Sequence, residues 1–241
     1  MRKNGDVPWE EFDPEVYFDH NYAELRKDER QIVELIRDFF SSAAVEPDAC
    51  GIDLGTGPNL YPAMAMLIAC SRITLLDYSE RNVDWLNRQL HSPNPAWQRF
   101  WDVFASAPEY RKVGNPWAAL RSRVTVVRDS LFTTPERHWD MGTMFFVAES
   151  ISANEAEFAH AMSRFTGCLK PGAPFAAAFM ENSEGYELGG KNFPAVAVCN
   201  EDIRVHLERS ASDLFIERVG TIDQPLRPGY TGMIVACGFA V

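Results

Sequence analysis

The fold is decided by the stretch Cys50-Gly51-Ile52-Asp53-Leu54-Gly55-Thr56-Gly57-Pro58-Asn59-Leu60-Tyr61, which is followed by Arg72-Ile73-Thr74-Leu75-Leu76-Asp77-Tyr78-Ser79. Each segment contains an apolar run typical of a buried strand, and the first run ends in a glycine turn that leads into a helix. Gly55 and Gly57 have no β-carbon, so the backbone can turn sharply there and approach a ligand closely. Asp77 ends the second run, where a carboxylate can accept hydrogen bonds from two ribose hydroxyls. This unit predicts a site for a nucleoside-containing cofactor.

The details of the turn distinguish two classes of cofactor. A dinucleotide-binding turn has a third glycine, in the pattern G-x-G-x-x-G, and holds the pyrophosphate at the helix N-terminus. Here the third glycine is missing, and Pro58 removes an N–H that a pyrophosphate could use. S-adenosyl-L-methionine has ribose, adenine and an amino-acid tail but no phosphate. The turn therefore favours S-adenosyl-L-methionine, with a nicotinamide-dependent oxidoreductase as the alternative.

Composition and charge limit the classes of partner. The chain has 241 residues, of which 46% are hydrophobic, and this size predicts one domain spanning residues 1–241. A net charge of -11 argues against nucleic acid, because binding a polyanion needs a cationic surface. No apolar run approaches the roughly 18 residues that span a membrane, and no metal-ligand spacing is present. We expect a small-molecule acceptor as partner, no nucleic acid, membrane or metal, and a monomer or homodimer.

The cysteines and the first residues bear on localisation. The five cysteines are odd in number and widely scattered, which is typical of reduced thiols. The first residues lack the apolar segment of a signal peptide. Both observations predict a cytoplasmic protein.

Strand and helix patterns alternate after residue 48, as a parallel sheet with crossover helices requires. Apolar runs predict strands over residues 50–54, 73–76, 124–127, 141–147 and 173–179. Two further extended runs, 214–221 and 232–241, have no helix between them, so they must pair antiparallel and give the sheet an antiparallel edge. The predicted fold class is α/β: a Rossmann-like, seven-stranded, mostly parallel sheet with an antiparallel C-terminal strand and helices on both faces.

Residues 91–123 interrupt this alternation with four prolines and six aromatic residues. Long excursions of this kind are usually functional or mobile, and the aromatic content favours packing over disorder. We expect this aromatic insertion to form part of a cover on the substrate side. The alternative is a helical elaboration that only widens the core.

Five patterns occur in chain order across nearly the whole sequence. They are Phe12-Asp13-Pro14-Glu15-Val16-Tyr17 with Tyr22, Asp53-Leu54-Gly55-Thr56-Gly57-Pro58 with Tyr61, Asp77-Tyr78-Ser79 with Asn82, Leu169-Lys170-Pro171-Gly172, and Tyr186 with Gly189 and Phe193. Together they resemble class I S-adenosylmethionine-dependent methyltransferases, and within them the nicotinamide, phenylethanolamine and thioether methyltransferase family. The resemblance implies N-terminal lid helices over residues 1–47 and a Rossmann-like core over residues 48–241.

The resemblance also implies a set of cofactor-binding residues. Tyr17 and Tyr22 would close over S-adenosyl-L-methionine, whose sulfonium is attracted to aromatic faces. Tyr61 would hold its carboxylate, Asp77 its ribose hydroxyls and Asp129 its adenine amino group. The full implied set is Tyr17, Tyr22, Gly55, Gly57, Tyr61, Asp77, Tyr78, Asn82 and Asp129.

One acid is a candidate for work on the acceptor. Glu149 follows the fourth predicted strand, where ligands of such sheets bind, and it matches the position of an acid in this family. An amine acceptor must lose a proton before it attacks, and a nearby carboxylate can take that proton. We therefore expect Glu149 to be catalytic, and we expect Tyr186, Phe193 and Tyr230 to line an aromatic acceptor pocket.

The chain departs from the family where acceptors are recognised. Phe179 stands where relatives carry an acid at the end of the fifth strand, with Glu181 and Glu184 a few positions later. Arg227-Pro228-Gly229-Tyr230 stands where the phenylethanolamine enzyme has an amine-binding acid. The expected reaction is methyl transfer to an amine or ring nitrogen. O- or S-methylation of a small aromatic metabolite and a non-catalytic cofactor-binding protein are the alternatives.

Overall fold

A computed structural model describes residues 3–46, 48–220 and 229–241. Its strands are β1 (Ala49–Leu54), β2 (Cys70–Asp77), β3 (Val124–Arg128), β4 (Met141–Phe145), β5 (Pro174–Glu181), β6 (Tyr186–Leu188), β7 (Lys191–Phe193), β8 (Ala211–Gly220) and β9 (Gly232–Ala240). Its α-helices are α1 (Pro14–Asn21), α2 (Lys27–Ser42), α3 (Tyr61–Met66), α4 (Glu80–His91), α5 (Trp97–Phe104), α6 (Pro108–Arg111), α7 (Pro116–Arg123), α8 (Glu155–Cys168) and α9 (Asn200–Leu207).

One sheet has the strand order β3-β2-β1-β4-β5-β9-β8. The strands from β3 to β5 are parallel, and β9 is antiparallel to both of its neighbours. The predicted seven-stranded, mostly parallel sheet with an antiparallel C-terminal strand is confirmed. The antiparallel strand lies one position inside the edge, however, because β9 enters between β5 and β8. The strand order reverses between β1 and β4, the point beyond which sheets of this class bind ligands.

Helices cover both faces of the sheet, as predicted. On one face α2 packs with α3 and α5, and its predicted apolar stripe buries Ile32, Ile36 and Phe40. On the other face α8 and α9 contribute Phe165 and Ile203 to a second core. No helix within the described residues is long and apolar enough to cross a membrane.

The aromatic insertion is core packing. It forms α5, α6 and α7, and the apolar face of α5 packs against α2 and α3 with Trp97, Phe100 and Phe104 fully buried. The hydroxyl of Tyr110 donates to the carbonyl of Ala65 at 2.8 Å, which ties the insertion to α3. The expected substrate-side cover is wrong, because rings spaced three and four residues apart on one helix bury together. The alternative, a helical elaboration that widens the core, describes the structure.

Several boundaries differ from the sequence prediction. β5 continues to Glu181, so an acid does end this strand, although Phe179 was the predicted end. Residues 186–193 form the hairpin β6–β7, whose strands the sequence patterns did not predict. Thr221 and the pair Arg227-Pro228 lie outside the described residues.

Candidate active site

A cleft of about 770 Å³, measured with its mouth to solvent, opens beyond the carboxyl ends of β1, β2 and β4. From the N-terminal segment it is lined by Asn4, Trp9, Phe12, Tyr17 and Tyr22. After β1 and β2 the lining residues are Gly55, Thr56, Gly57, Pro58, Asn59, Leu76, Asp77, Tyr78, Ser79 and Asn82. The remaining wall consists of Asp129, Ser130, Leu131, Phe145, Phe146, Val147, Ser150, Ile151 and Tyr186.

The glycine turn after β1 has the backbone that its sequence predicts. Gly55 has φ +65° and Gly57 has φ +55°, a region that favours glycine. A β-carbon at position 55 would lie 2.5 Å from Cγ1 of Val147, whereas one at position 57 would meet nothing closer than 3.8 Å. Gly55 is therefore required both by its conformation and by the close approach of the segment after β4.

Asp77 is the most fully bonded acid in the cleft. Its Oδ2 accepts the N–H of Gly57 at 2.7 Å, and its Oδ1 accepts the N–H of Ser79 at 2.9 Å and Nδ2 of Asn82 at 3.1 Å. Burial raises the pKa of Asp77 above its ordinary value, and these hydrogen bonds oppose that rise. They also fix the carboxylate at the end of β2, in the place predicted for the ribose hydroxyls.

A second acid, Asp53, lies behind the turn. It is 1% exposed, its Oδ1 accepts the hydroxyl of Thr143 at 2.7 Å, and its Oδ2 has no hydrogen-bond partner. Burial raises its pKa to about 7, while hydrogen bonds from Thr143 and Thr56 lower it and the nearby charge of Asp77 raises it. Asp53 does not line the cleft, so it supports the turn from within the sheet.

The residues predicted for the nucleoside end of the cofactor lie together in the structure. Tyr78, Asn82 and Asp129 all line the cleft beside Asp77. Tyr78 is 55% exposed at the mouth, and Asn82 is buried. Oδ1 of Asp129 accepts the N–H of Ser130 at 2.7 Å, which holds this carboxylate at the rim.

The predicted amino-acid end differs from expectation at one residue. Tyr17 and Tyr22 line the cleft, but Tyr61 is fully buried behind them, with its ring centroid 6.0 Å from that of Tyr22. Asn59 lines the cleft in its place, and its Oδ1 accepts the N–H of Tyr61 at 3.2 Å. Nδ2 of Asn59 is buried without a partner, so a hydrogen-bond donor is left over at this end.

Aromatic rings from two distant segments meet over the cleft. Phe193 on β7 lies 5.7 Å from Trp9 and 5.5 Å from Phe12, measured between ring centroids. Tyr186 on β6 lies 6.2 Å from Tyr17 and stacks on Phe193 at 5.2 Å. The N-terminal segment and the hairpin therefore form one aromatic cover. Tyr186 lines the cleft, whereas Phe193 supports it from behind.

Two residues predicted for the acceptor are buried outside the lining. Glu149 is fully buried, and its Oε1 accepts the N–H of Met180 at 3.0 Å and the hydroxyl of Ser150 at 3.3 Å. Ser150 itself lines the cleft, so the carboxyl is one residue away from it. Tyr230 is buried in the core on the face of α2 and does not line the cleft.

The sequence analysis missed several lining residues. Phe145 ends β4, Phe146 and Val147 follow it, and their place at the carboxyl end of a central strand is a usable signal. Asn59 stood within the quoted turn, but nothing in the pattern marked its side chain. Trp9 gave no signal, because it reaches the cleft through tertiary packing.

The charges of the cleft decide its class of cofactor. Among the described residues that line it, Asp77 and Asp129 are the charged ones, and none is Lys, Arg or His. A diphosphate would find no cation here, whereas a sulfonium with a ribose fits the acids and aromatic rings. Within the described residues, no cluster of His, Cys, Asp and Glu is arranged to hold a metal.

A model of the NNMT/PNMT/TEMT family matches residues 4–231. The chain belongs to this family. Its similar relatives include phenylethanolamine N-methyltransferase of Sus scrofa, 24% identical with 92% of this chain and 85% of the relative covered. The enzyme of the same name from Homo sapiens is 26% identical, with 84% and 78% covered. This member of the NNMT/PNMT/TEMT family is an S-adenosylmethionine-dependent methyltransferase, and its cofactor is S-adenosyl-L-methionine.

Solved structures agree on the fold. The N-methyltransferase NodS from Bradyrhizobium japonicum, in complex with S-adenosylhomocysteine, superposes with a TM-score of 0.55 at 13% identity, covering 89% of this chain and 88% of NodS. The 1,6-didemethyltoxoflavin-N1-methyltransferase of Burkholderia thailandensis gives a TM-score of 0.54 at 13% identity, covering 94% and 81%. The methyltransferase fold predicted from the motifs is confirmed.

Proposed function

We propose that this methyltransferase transfers a methyl group from S-adenosyl-L-methionine to a nitrogen of a small aromatic molecule. The observation that carries the proposal is the aromatic cover of Trp9, Phe12, Tyr17 and Tyr186 over a cleft whose nucleoside end is marked by Asp77. Relatives named for N-methylation support nitrogen as the methylated atom.

The cofactor would be held by residues already fixed in the fold. Asp77 would accept the ribose hydroxyls, with Asn82 and Tyr78 beside it, and Asp129 would accept the adenine amino group. Gly55 and Gly57 would lie along the methionine part, with Asn59 and Tyr61 at its carboxylate. When bound, S-adenosyl-L-methionine supplies an electrophilic methyl group on a cationic sulfur.

The cover would then orient the acceptor and exclude water. Methyl transfer is an in-line displacement, so holding the nucleophile collinear with the sulfur–methyl bond in a dry pocket supplies much of the catalysis. Trp9, Phe12 and Tyr186 would pack on a planar acceptor and orient its nucleophilic atom toward the methyl group. Phe193 would keep these rings in place from behind, and Tyr230 would support this wall from the core.

An aliphatic amine acceptor would need to lose a proton. We propose that Ser150 receives this proton in the cleft and that Glu149 accepts it in turn, because the Ser150 hydroxyl already donates to Glu149 Oε1. A pyridine-type ring nitrogen is unprotonated near neutral pH and would not use this route. Glu149→Gln should therefore reduce kcat for amines and leave ring nitrogens nearly unaffected.

The test is a screen of small amines, pyridines, phenols and thiols for release of S-adenosylhomocysteine. The expected result is turnover of an aromatic nitrogen compound by the wild type, with turnover reduced in Asp77→Asn at limiting S-adenosyl-L-methionine. Turnover of phenols or thiols alone would mean that the methylated atom is oxygen or sulfur and not nitrogen. Tight cofactor binding with no turnover across the panel would contradict the enzymatic proposal.

We also propose that the protein works in the cytoplasm as a monomer or homodimer. All five cysteines are free in the structure, and a reducing compartment keeps such thiols reduced. Fractionation and light scattering of the purified protein would test the two statements separately.

A further inference from the structure

A group of buried polar atoms lies at the end of the cleft where we place the amino-acid part of the cofactor. Oε2 of Glu29, Nδ2 of Asn59 and the hydroxyl of Tyr61 are all buried, and none of them has a hydrogen-bond partner within 3.5 Å. Glu29 is on α2, and its carboxyl is close enough to the Tyr61 hydroxyl for an interaction between the two side chains to lower the pKa of Glu29 and raise that of Tyr61. Asn59 lines the cleft, and its Oδ1 accepts the N–H of Tyr61. These atoms have the composition of a site for a carboxylate, because two of the three groups are donors.

The surroundings of Glu29 keep its proton in place. Glu29 is 2% exposed, and the cation whose charge acts on it, Arg26, forms an ion pair with Asp28 at 2.6 Å between Nη2 and Oδ2. Within the described residues Glu29 forms no ion pair of its own. Burial raises the pKa of Glu29 to about 8, the negative charge of Asp28 adds to the rise, and Tyr61 and Arg26 oppose it. At pH 7 the side chain is therefore mainly a neutral acid that carries one O–H donor.

We propose that protonated Glu29 is a positioning residue for the cofactor, because it sets the direction of the Tyr61 hydroxyl. This inference rests on the proposed function. A neutral Glu29 donates its O–H to the Tyr61 oxygen, which leaves the Tyr61 hydrogen free to point toward the carboxylate of the bound cofactor. An ionised Glu29 takes that hydrogen for itself, and Tyr61 then presents a lone pair to a negative group. One proton thus decides whether Tyr61 attracts or repels the ligand.

The inference predicts a specific pH dependence of cofactor affinity. The titratable groups that act on Glu29 are Arg26 and Asp28 at the start of α2 and Tyr61 on α3, with Tyr22 acting on Tyr61 in turn. Burial raises the pKa of Tyr61 well above its ordinary value, so Tyr61 stays neutral in the range from pH 7 to 9. Glu29, whose pKa is raised to about 8, changes charge in that range.

The experiment measures the Kd of S-adenosylhomocysteine by calorimetry from pH 6.5 to 9.5. Wild-type affinity should fall about tenfold between pH 7 and 9 relative to Glu29→Gln, as titration near pH 8 requires. Glu29→Gln is neutral at every pH, keeps a donor toward Tyr61 and shares the titration of the ligand's own amino group. Its Kd at pH 7 should match the wild type within about twofold, a difference that corresponds to less than 1 kcal/mol. In a Tyr61→Phe background, Glu29→Gln should have no effect on the pH profile.

Two further measurements keep the test decisive. If Glu29→Gln does not fold, Asp28→Asn is used, since removing the charge of Asp28 should move the wild-type transition to lower pH. Infrared difference spectra should show a protonated carboxyl at pH 7 that is lost by pH 9 and absent in Glu29→Gln. A constant ratio of the two Kd values across the pH range would overturn the inference. Absence of wild-type binding at pH 7 would instead overturn the proposed function.

Discussion

Nζ of Lys191 lies 2.5 Å from Oε2 of Glu11, and this ion pair joins the hairpin β6–β7 to the N-terminal segment. Three further acids near the N-terminus form ion pairs with arginines of the Rossmann-like core. They are Glu10 with Arg128 at 2.9 Å, Asp13 with Arg81 at 3.3 Å and Glu15 with Arg88 at 3.5 Å. The segment that covers the cleft is therefore attached by a row of ion pairs as well as by aromatic packing.

Reversing the charge at one end of the first pair should speed the release of the cofactor product. All four pairs are partly exposed, and such pairs contribute about 0.2–1 kcal/mol each. Lys191→Glu or Glu11→Lys should raise the dissociation rate of S-adenosylhomocysteine about two- to fivefold, measured by stopped flow. The double exchange should restore the wild-type rate. High salt should raise the wild-type rate in the same direction, because it screens exposed charges.

A matched control comes from the opposite end of the sheet. Lys170 pairs with Asp140 at 2.6 Å, and neither residue lines the cleft. Lys170→Glu should leave the dissociation rate unchanged. If the double exchange fails to recover the rate, the pair does not hold the cover.

Removing the charge of Asp77 should weaken cofactor binding strongly, while the protein still folds. Asp77→Asn replaces one acceptor oxygen with a donor that meets the N–H groups of Gly57 or Ser79, and hydrogen bonds to a charged group contribute about 1.5–3 kcal/mol. We expect the Kd of S-adenosylhomocysteine to rise by about tenfold to a hundredfold. Asp129→Asn changes an exposed acid of the same cleft, and it should raise the Kd of S-adenosylhomocysteine by a smaller factor. Equal losses for the two variants would argue against Asp77 as the main ribose ligand.

The glycine turn offers a test of steric cause. Gly55→Ala places a methyl group 2.5 Å from Cγ1 of Val147, whereas Gly57→Ala has a similarly positive φ and would meet nothing closer than 3.8 Å. Gly57→Ala should cost about 1 kcal/mol of unfolding free energy from the left-handed backbone alone. Gly55→Ala should lower the unfolding free energy several times more, and chemical denaturation measures both losses.

A second substitution separates the clash from the backbone effect. Val147→Ala removes both methyl groups that the new β-carbon would meet. Added to Gly55→Ala, it should restore part of the unfolding free energy that this variant loses. Added to Gly57→Ala, it should restore none. Recovery in both backgrounds would mean that Val147 acts in some other way.

The sequence predicted those parts of the molecule whose local pattern carries the information. The turn at Gly55 and Gly57 and the acid at Asp77 have fixed spacing and fixed chemistry, and the structure places all three in the cleft. The aromatic insertion was misread because apolar rings look alike whether they cover a ligand or fill a core. Only the packing of α5 on α2 distinguishes the two.

The remaining differences arise from contacts between distant segments. The placement of Tyr61 behind Tyr22, with Asn59 in the lining, depends on how α1 and α2 pack over α3, which no local spacing records. The pairing of Glu11 with Lys191 spans most of the chain. Such side chains could be placed only once the helices and the hairpin were placed.

The buried acid Asp53 should make the stability of the protein fall as the pH rises. Its pKa is raised by burial to about 7 in the folded state and lies near its ordinary value of 3.8 in the unfolded chain. Below about pH 4 Asp53 is protonated in both the folded and the unfolded state, so it does not lower the unfolding free energy. Between that pH and about 7 the unfolded chain releases the proton first, so the unfolding free energy declines as the pH rises and levels off above pH 8. Asp53→Asn should remove this decline.

Comparing the variant with the wild type isolates Asp53 from Glu29, whose raised pKa acts in the same direction. The unfolding free energy of Asp53→Asn minus that of the wild type should increase by about 3 kcal/mol between pH 4.5 and 8, measured by urea denaturation. Thr143→Val removes the hydroxyl that donates to Asp53 at 2.7 Å, which raises the folded pKa further and should extend the decline in unfolding free energy to higher pH. A difference that stays flat from pH 4.5 to 8 would mean that Asp53 is ionised throughout, with its charge compensated inside the sheet.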